Sequence, residues 1–488
     1  MLFNSIEFAF FFPIVTVLFF LTPHKLRWML LLLASCIFYM YFKPEYILIL
    51  AFIIGIDYIV AIQIEKQETE KKKRLLLIFS LVANLGVLFI FKYFNFVAAN
   101  FNYAFHIFQI EGKIPILHIL LPIGLSFHTL QAMSYTIEVS RGKFKAERHL
   151  GIYALYVMFY PQLVAGPIER PQNLIPQFHE KKVFNYENAR QGMMLIAWGL
   201  IKKMVVADRV GAFVNQVHSM PDGYYTGIPL IISYFATPFQ IYCDFSGYSD
   251  IATGCAKVMG YDLMVNFKTP FLQKNVNQYW ASWHLSLTTW FRDYVYLPLR
   301  KHVFPKGGII TSIIVVMLLS AIWHGARWSF VAWGIANALL LIAYNLLKRN
   351  KIFLNITSHI SDGFANKIMI FTVSGACVFF RASTVTKAFH MLRDMYKNIF
   401  SQIKLIVSNP HSERLALLYL KQSSIDFFLA IFVTFGLLYF ESQFKNSSID
   451  KWLPTKSKTY RWIFYYALII IFLLFGIFKK SEFIYFQF

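Results

Sequence analysis

The chain has 488 residues, of which 57% are hydrophobic, 18% aromatic and 15% charged, where an ordinary soluble domain carries ~25% charged residues. A soluble globule, a disordered chain and a collagen-like fibre are excluded, because the surplus apolar side chains need a lipid surrounding. The formal net charge of +22 calls for no nucleic acid, since Lys and Arg gather in the cytoplasmic loops of membrane proteins.

Hydropathy predicts spans over 5-22, 28-42, 46-64, 75-97, 115-139, 226-246, 309-322, 328-347, 366-380, 424-441 and 461-478, each measured against the ~20 residues that cross a bilayer. The N-terminal segment MLFNSIEF has no Lys or Arg before its apolar run, which argues against a removable signal peptide. Five Lys or Arg in 65-74 and four in 141-148, with Lys25 and Arg27 between the first two spans, place those loops in the cytoplasm and the N-terminus outside. The run 152-165 is too short to cross and has basic residues on both sides, so it reads as a re-entrant hairpin. In 192-214, Lys202, Lys203, Asp208 and Arg209 interrupt the apolar residues, which suggests a helix at the cytoplasmic interface. Segment 275-300 is rich in Trp, hydroxyls and charge; at helical spacing Trp280, His284, Leu287, Phe291 and Tyr294 share a face. Residues 385-406 carry an apolar stripe of Ala388, Met391, Met395, Ile399, Ile403 and Ile406 opposite Lys387, Arg393, Lys397 and Lys404, the pattern of an amphipathic helix on the membrane surface. No repeat or long linker divides the chain, so one membrane domain over 1-488 is expected.

Four scattered cysteines, Cys36, Cys243, Cys255 and Cys377, offer neither a disulfide framework nor a metal-ligand spacing. Phosphate-binding, dinucleotide-binding, zinc-protease and serine-elbow motifs are absent. The candidates for chemistry are polar groups at membrane depth. His324, in Trp323-His324-Gly325-Ala326-Arg327, sits beside a backbone break inside a long apolar run, and an imidazole there can act as a general base. His284 lies in the Trp-rich segment with Trp283 and the Arg292-Asp293 pair. Gln131, Asp244 and Asp250 are further intramembrane polar candidates, for which helix-to-helix hydrogen bonding is the competing reading.

Five stretches, LPIGLSFHTLQAMSYTIEVSRG (121-142), YPQLVAGPIERPQNL (160-174), QIYCDFSGYSDIATG (240-254), YWASWHLSLTTWFRDYVYLPL (279-299) and SAIWHGARWSFVAWG (320-334), together resemble the membrane-bound O-acyltransferases, specifically the bacterial branch similar to alginate O-acetyltransferases. The similarity covers about residues 1-390; 391-488 add the amphipathic segment and further spans. The resemblance implies an all-α polytopic fold of roughly 11-13 transmembrane or re-entrant helices around a tunnel, in a bacterial inner membrane. It implies catalysis at His324, with His284 as its companion; from the residues themselves, Trp323, Trp283, Gln131, Arg292, Asp293 and Asp244 are the candidates for substrate or tunnel contact. The donor it implies is a cytoplasmic acyl thioester such as acetyl-CoA, with no bound cofactor and no metal; by charge and position Lys202, Lys203 and Arg209 would attract its phosphates, ordinary positive-inside anchoring being the competing reading. The acceptor it implies is an envelope polysaccharide, reached through an extracytoplasmic SGNH-hydrolase-like partner. Two other functions compete: D-alanyl transfer to a teichoic-acid-type polymer, and a non-catalytic channel or flippase for an acylated species.

Overall fold

The computed structural model describes residues 1-305, 308-420, 422-445, 447-478, 481 and 483-484. Among the described residues every regular element is helical, as lipid requires of a chain that is not a closed barrel. Six helices are long and apolar enough to span: Pro44–Lys66, Glu70–Ile107, Trp328–Leu347, Asp362–Arg381, Ser424–Gln443 and Lys458–Phe475; Ile6–Leu21 and Ile309–His324 are shorter apolar helices. The protein is therefore an all-α, multi-pass membrane protein. The chain folds as two compact units, Met1–Ile196 with Ser249–Val265, and Ala197–Tyr248 with Asn266–Phe488.

The first unit begins with α1 (Ile6–Leu21), α2 (His24–Met40), α3 (Ile47–Lys66) and α4 (Glu70–Leu88). A π-helical turn, Phe89–Tyr93, carries α4 directly into α5 (Phe94–Ile107), so helix extends well beyond the 75-97 expected from hydropathy. Then come α6 (Leu125–Ser140), α7 (Leu150–Met158), α8 (Pro171–His179) and α9 (Tyr186–Leu200), which continues into the second unit. Asp57 on α3 accepts from Ser80 Oγ (2.6 Å) and Asn84 Nδ2 (2.9 Å) on α4, and Ser80 Oγ lies 3.2 Å from Thr136 Oγ1 on α6. This buried polar knot fastens three helices where lipid supplies no hydrophobic drive between them.

One expectation in this unit changes. The predicted span 115-139 is helical only from Leu125; residues 110-122 have no regular secondary structure. Pro115 and Pro122 lack the N–H that a helix needs, and Gly124 turns into α6 at φ 78°. This irregular segment is held by amide clamps: Asn95 exchanges two 2.8 Å bonds with the N–H and C=O of Leu117, and Asn102 does the same for Ile114 at 2.8 and 2.9 Å. The short run 152-165 becomes the nine-residue α7 followed by turns. At ~1.5 Å per residue, α7 covers about 14 Å, less than half a hydrocarbon core of ~30 Å.

The second unit holds α10 (Asp208–Ser219), reached from α9 through a π-helical stretch, Ile201–Ala207, and most of α11 (Ile228–Val258). It continues with α12 (Val276–Trp280), α13 (Leu285–Phe291), α14 (Ile309–His324), α15 (Trp328–Leu347), α16 (Lys351–Ser358) and α17 (Asp362–Arg381). It ends with α18 (Val385–Asp394), α19 (Ile399–Ser408), α20 (Pro410–Leu417), α21 (Ser424–Gln443), α22 (Ile449–Trp452) and α23 (Lys458–Phe475). α14 and α15 pack closely because Gly334 faces Ala321: a Cβ there would stand 2.6 Å from the Ala321 methyl.

The predicted continuous helix over 275-300 is broken. α12 ends at Trp280, and His284 adopts φ 43°, ψ 55° before α13 begins, so Trp280 and His284 do not share a helical face. The predicted amphipathic helix 385-406 is likewise two helices, separated at Asn398 with φ 61°. Its first apolar stripe covers protein: Ala388, Met391 and Met395 pack with Phe213, Val217, Leu230, Tyr234 and Val378. Lys387, expected on the polar face, is buried and donates to the carbonyls of His218 (2.7 Å) and Met220 (2.6 Å).

Replacing both clamp residues, Asn95→Ala with Asn102→Ala, strands four backbone groups of 114-117. Stability is expected to fall by about 1–3 kcal/mol for each group that water does not reach. Thermal unfolding in detergent reads the loss, and an unchanged midpoint would show that the clamps are dispensable.

Candidate active site

The second unit assembles the site from two interrupted helices. α14 ends at His324, and Gly325 runs extended, φ −171°, before α15 starts at Trp328. That φ suits any residue. Space dictates glycine here, because a Cβ at 325 would lie 2.1 Å from the ring of Phe330, which is fully buried. Phe330 packs edge-on against Phe380 (5.0 Å), and Phe380 against the His324 ring (5.2 Å). The close approach at Gly325 therefore fixes the wall on which the histidine rests.

His284 is held from below by Asn266. Asn266 Oδ1 receives the backbone N–H of Ser286 (3.3 Å) and its hydroxyl (3.0 Å), and stands 3.0 Å from His284 Nδ1. An atom that accepts a backbone N–H is the amide oxygen, so Nδ1 of His284 carries the proton and Nε2 the lone pair. The left-handed conformation of His284, costing a non-glycine residue about 1–2 kcal/mol, is stabilised by this bond and by Leu285 N–H donating to Asn266 O (2.8 Å).

The Trp323 ring neighbours both imidazoles, 6.0 Å from His284 and 5.0 Å from His324, centroid to centroid. Phe245 (4.6 Å) closes the far side of His284, and Trp333 (5.1 Å) flanks His324. His324 opens into a cavity of about 20 Å³ that is walled by Ile241, Tyr279, Trp280, Trp283, Trp333, Asn337, Val373, Ala376, Cys377 and Phe380. Among the described residues its wall has no carboxylate and no lysine or arginine.

The structure thus brings His324, His284, Trp323 and Trp283 together in the second unit. Gln131 belongs to the first unit, where its amide donates to Tyr156 O at 2.5 Å. Arg292 and Asp293 lie on the π-helical turn after α13 and pair with each other at 2.8 Å on the surface. Asp250 is also in the first unit by sequence position. Asp244 sits beside Phe245 on α11, but its carboxylate is engaged by Lys203 Nζ (2.6 Å) and by the Ile484 N–H (2.6 Å).

The three cations expected to attract donor phosphates have internal partners. Lys202 pairs with Glu441 (3.2 Å), which also accepts from Tyr242 Oη (2.6 Å). Lys203 bridges Asp208 (2.9 Å) and Asp244, and Arg209 pairs with Asp426. All three are buried, so 192-214 is not a helix with its charges in interfacial water. The partners Glu441, Asp244 and Asp426 lie far along the chain, beyond the reach of local charge counting. Asn266, which orients His284, and Asn337, Val373 and Phe380 of the cavity wall were likewise not singled out from the sequence; Asn266 lies in a turn region whose polarity carried no distinguishing signal.

Residues 87-385 match the model of MBOAT, the membrane-bound O-acyltransferase family. The chain belongs to that family. It is 34% identical over 337 residues to a probable alginate O-acetylase of Azotobacter vinelandii, covering 68% of this chain and 66% of that protein. It is 31% identical over 396 residues to the peptidoglycan O-acetyltransferase of Helicobacter pylori, covering 75% and 73%. It is 28% identical over 249 residues to the teichoic acid D-alanyltransferase of Streptococcus thermophilus, covering 48% and 59%. The chain spans about two thirds of the first of these relatives' length. Membership makes this membrane protein an O-acyltransferase, and the channel or flippase reading is set aside.

Two outcomes follow from this geometry. Gly325→Ala should displace Phe330 and with it Phe380 and His324, lowering transfer, while adding Phe330→Leu should restore part of the rate; a strictly additive double variant would show that the two positions are uncoupled. Lys203→Ala leaves two buried carboxylates without their cation and is expected to cost about 3–5 kcal/mol of stability, read by thermal unfolding. A well-folded Lys203→Ala variant with a raised donor KM would instead give Lys203 the donor role.

Proposed function

We propose that the chain moves an acetyl group from an acetyl thioester, presented from the cytoplasm, to a hydroxyl acceptor on the other side of the membrane, in the O-acetylation of an envelope polysaccharide. The observation that carries this reading is the position of His324, at a sealed helix break and opening into a small aromatic cavity. In that site His324 accepts the proton of the attacking hydroxyl as its oxygen bonds to the thioester carbonyl. The C–S bond then breaks, and the thiolate leaves with the proton that His324 returns. General-base catalysis of this kind contributes ~10²–10⁴-fold, and the apolar wall keeps water from the thioester. His284, with its tautomer fixed by Asn266, is a positioning residue that acts on His324 through Trp323.

Cavity size favours acetyl. About 20 Å³ is little more than the ~10–15 Å³ that one water-sized probe requires, which admits a methyl group and excludes a long acyl chain. The relatives named as alginate and peptidoglycan O-acetyltransferases support acetyl as the group and a polysaccharide as the acceptor class. The basic loops at 65-74 and 141-148 support cytoplasmic donor entry and an extracytoplasmic N-terminus in a bacterial inner membrane. A serine-nucleophile partner of the SGNH-hydrolase type would receive the acetyl group and pass it to the polymer.

Purified protein in liposomes with acetyl-CoA, a partner acetyltransferase and polymer tests the reading. His324→Ala is expected to unfold at the wild-type temperature and lose transfer by at least ~10²-fold. Turnover at the wild-type rate removes His324 from the mechanism. D-alanyl thioester as the better donor would replace acetyl by the second reading.

A further inference from the structure

One polar side chain in the wall of the His324 cavity is only half used. Asn337, on α15, is 2% exposed, and the open space it borders is that cavity. Its carboxamide makes a single hydrogen bond among the described residues, in which Nδ2 donates to the Trp333 carbonyl at 2.8 Å. A carbonyl can only accept, so the amide nitrogen is fixed at that contact and Oδ1 is the atom left over, with its lone pairs unused. Trp283 and Cys377, wall residues that carry N–H and S–H groups, make no bond to it. A buried acceptor without a donor costs stability, so the cavity's occupant is the natural source of one.

Position along α15 narrows what that donor is. The Trp333 ring flanks His324 at 5.1 Å, and Asn337 follows one turn later, about 6 Å along the axis at ~1.5 Å per residue. Lys348, Arg349 and Lys351 come directly after the end of α15 at Leu347, which by charge makes that end cytoplasmic. Asn337 therefore lies on the cytoplasmic side of His324, where the arm of a thioester donor trails behind its acyl group. The attacking hydroxyl gives its proton to His324, and the thioester carbonyl oxygen is itself an acceptor that Oδ1 repels. The remaining group in reach is an amide N–H: in coenzyme A and in carrier-protein thioesters, two methylenes join the sulfur to an amide nitrogen. From the acyl carbonyl carbon to that nitrogen is four bonds, about 5 Å when extended, which matches the one-turn step from Trp333 to Asn337.

We propose that Asn337 is a donor-recognition residue, whose Oδ1 accepts the amide N–H of the thioester's cysteamine arm and so holds the acyl carbonyl beside His324. This rests on the acyl-transfer reading, and it applies to either acyl group because the arm is common to both.

The test compares acetyl-CoA with an analogue in which an ester oxygen replaces that N–H, using wild type and Asn337→Leu in liposomes with partner and polymer. Wild type should prefer acetyl-CoA by about fivefold or more in kcat/KM, and in Asn337→Leu the ratio should fall to near one. Leucine also removes a buried oxygen that lacks a donor, so the variant is expected to unfold at or above the wild-type temperature. Equal use of the two donors by wild type overturns the proposal, as does a variant that unfolds earlier and still discriminates between them, or one that changes only the acceptor KM. S-acetonyl-CoA and its ester counterpart, which bind without transferring, separate this proposal from the one it rests on. If no acetyl thioester supports transfer, the acetyl-transfer reading fails; preferential protection of wild type against heat by S-acetonyl-CoA, lost in Asn337→Leu, still assigns the arm to Asn337. Equal protection by the two ketones, or none from either, refutes it.

Discussion

In hydrocarbon there is no water to satisfy a backbone group, so every departure from helix must be covered by protein. This chain departs from helix at three places that matter. Residues 110-122 are largely exposed and only pinned at Leu117 and Ile114 by Asn95 and Asn102, whereas the turn at 281-284 is held by Asn266 and the break at Gly325 is covered by the buried Phe330 ring. The latter two lie where the histidines are. A helix interior points its side chains to fixed radial positions, whereas a break lets an imidazole project along the axis into a cavity. The chemistry therefore sits where the backbone is hardest to satisfy, and the cover that makes the break tolerable is also the wall of the site.

Buried charge follows the same constraint. An isolated ammonium at depth is costly, and Lys202, Lys203 and Arg209 persist there because each meets a carboxylate supplied by a distant segment. Removing one partner exposes the other to the full desolvation cost. These ion pairs bind α10 and α11 to α21 and to Ser481 and Ile484, whose hydroxyl and N–H donate to Asp208 (2.7 Å) and Asp244. They are structural ties, and any attraction for a donor's phosphates has to come from groups that are not already neutralised.

The cavity at His324 is selective through size and through what it lacks. Its walls are mainly aromatic and aliphatic, with Tyr279, Asn337 and Cys377 as the other polar groups, and of these side chains the imidazole is the one whose ordinary pKa lies near neutrality. Its aromatic neighbours Trp333 and Phe380 hold the ring by edge contacts.

Composition and the ~20-residue period of apolar runs determined the membrane class, because the number of apolar side chains alone exceeds what water tolerates. The same local signal placed the helices ending at His324 and Arg381 and the one from Trp328 to Leu347 within a few residues, and the Trp-His-Gly stretch marked the break itself. The motif pattern also carried the family. What the tertiary structure alone decided is partnership across long sequence separations: Asn266 with His284, Trp323 beside both imidazoles, Phe330 against Gly325, and Glu441, Asp244 and Asp426 against three cations. Periodicity registers which face of a helix is apolar, but not whether lipid or protein covers it, which is why Lys202 and Lys203 read as interfacial and the 385-406 stripe as membrane-facing. A left-handed residue such as His284 or Asn398 leaves no mark in hydropathy either, since its conformation is imposed by the contacts around it and not by its own polarity.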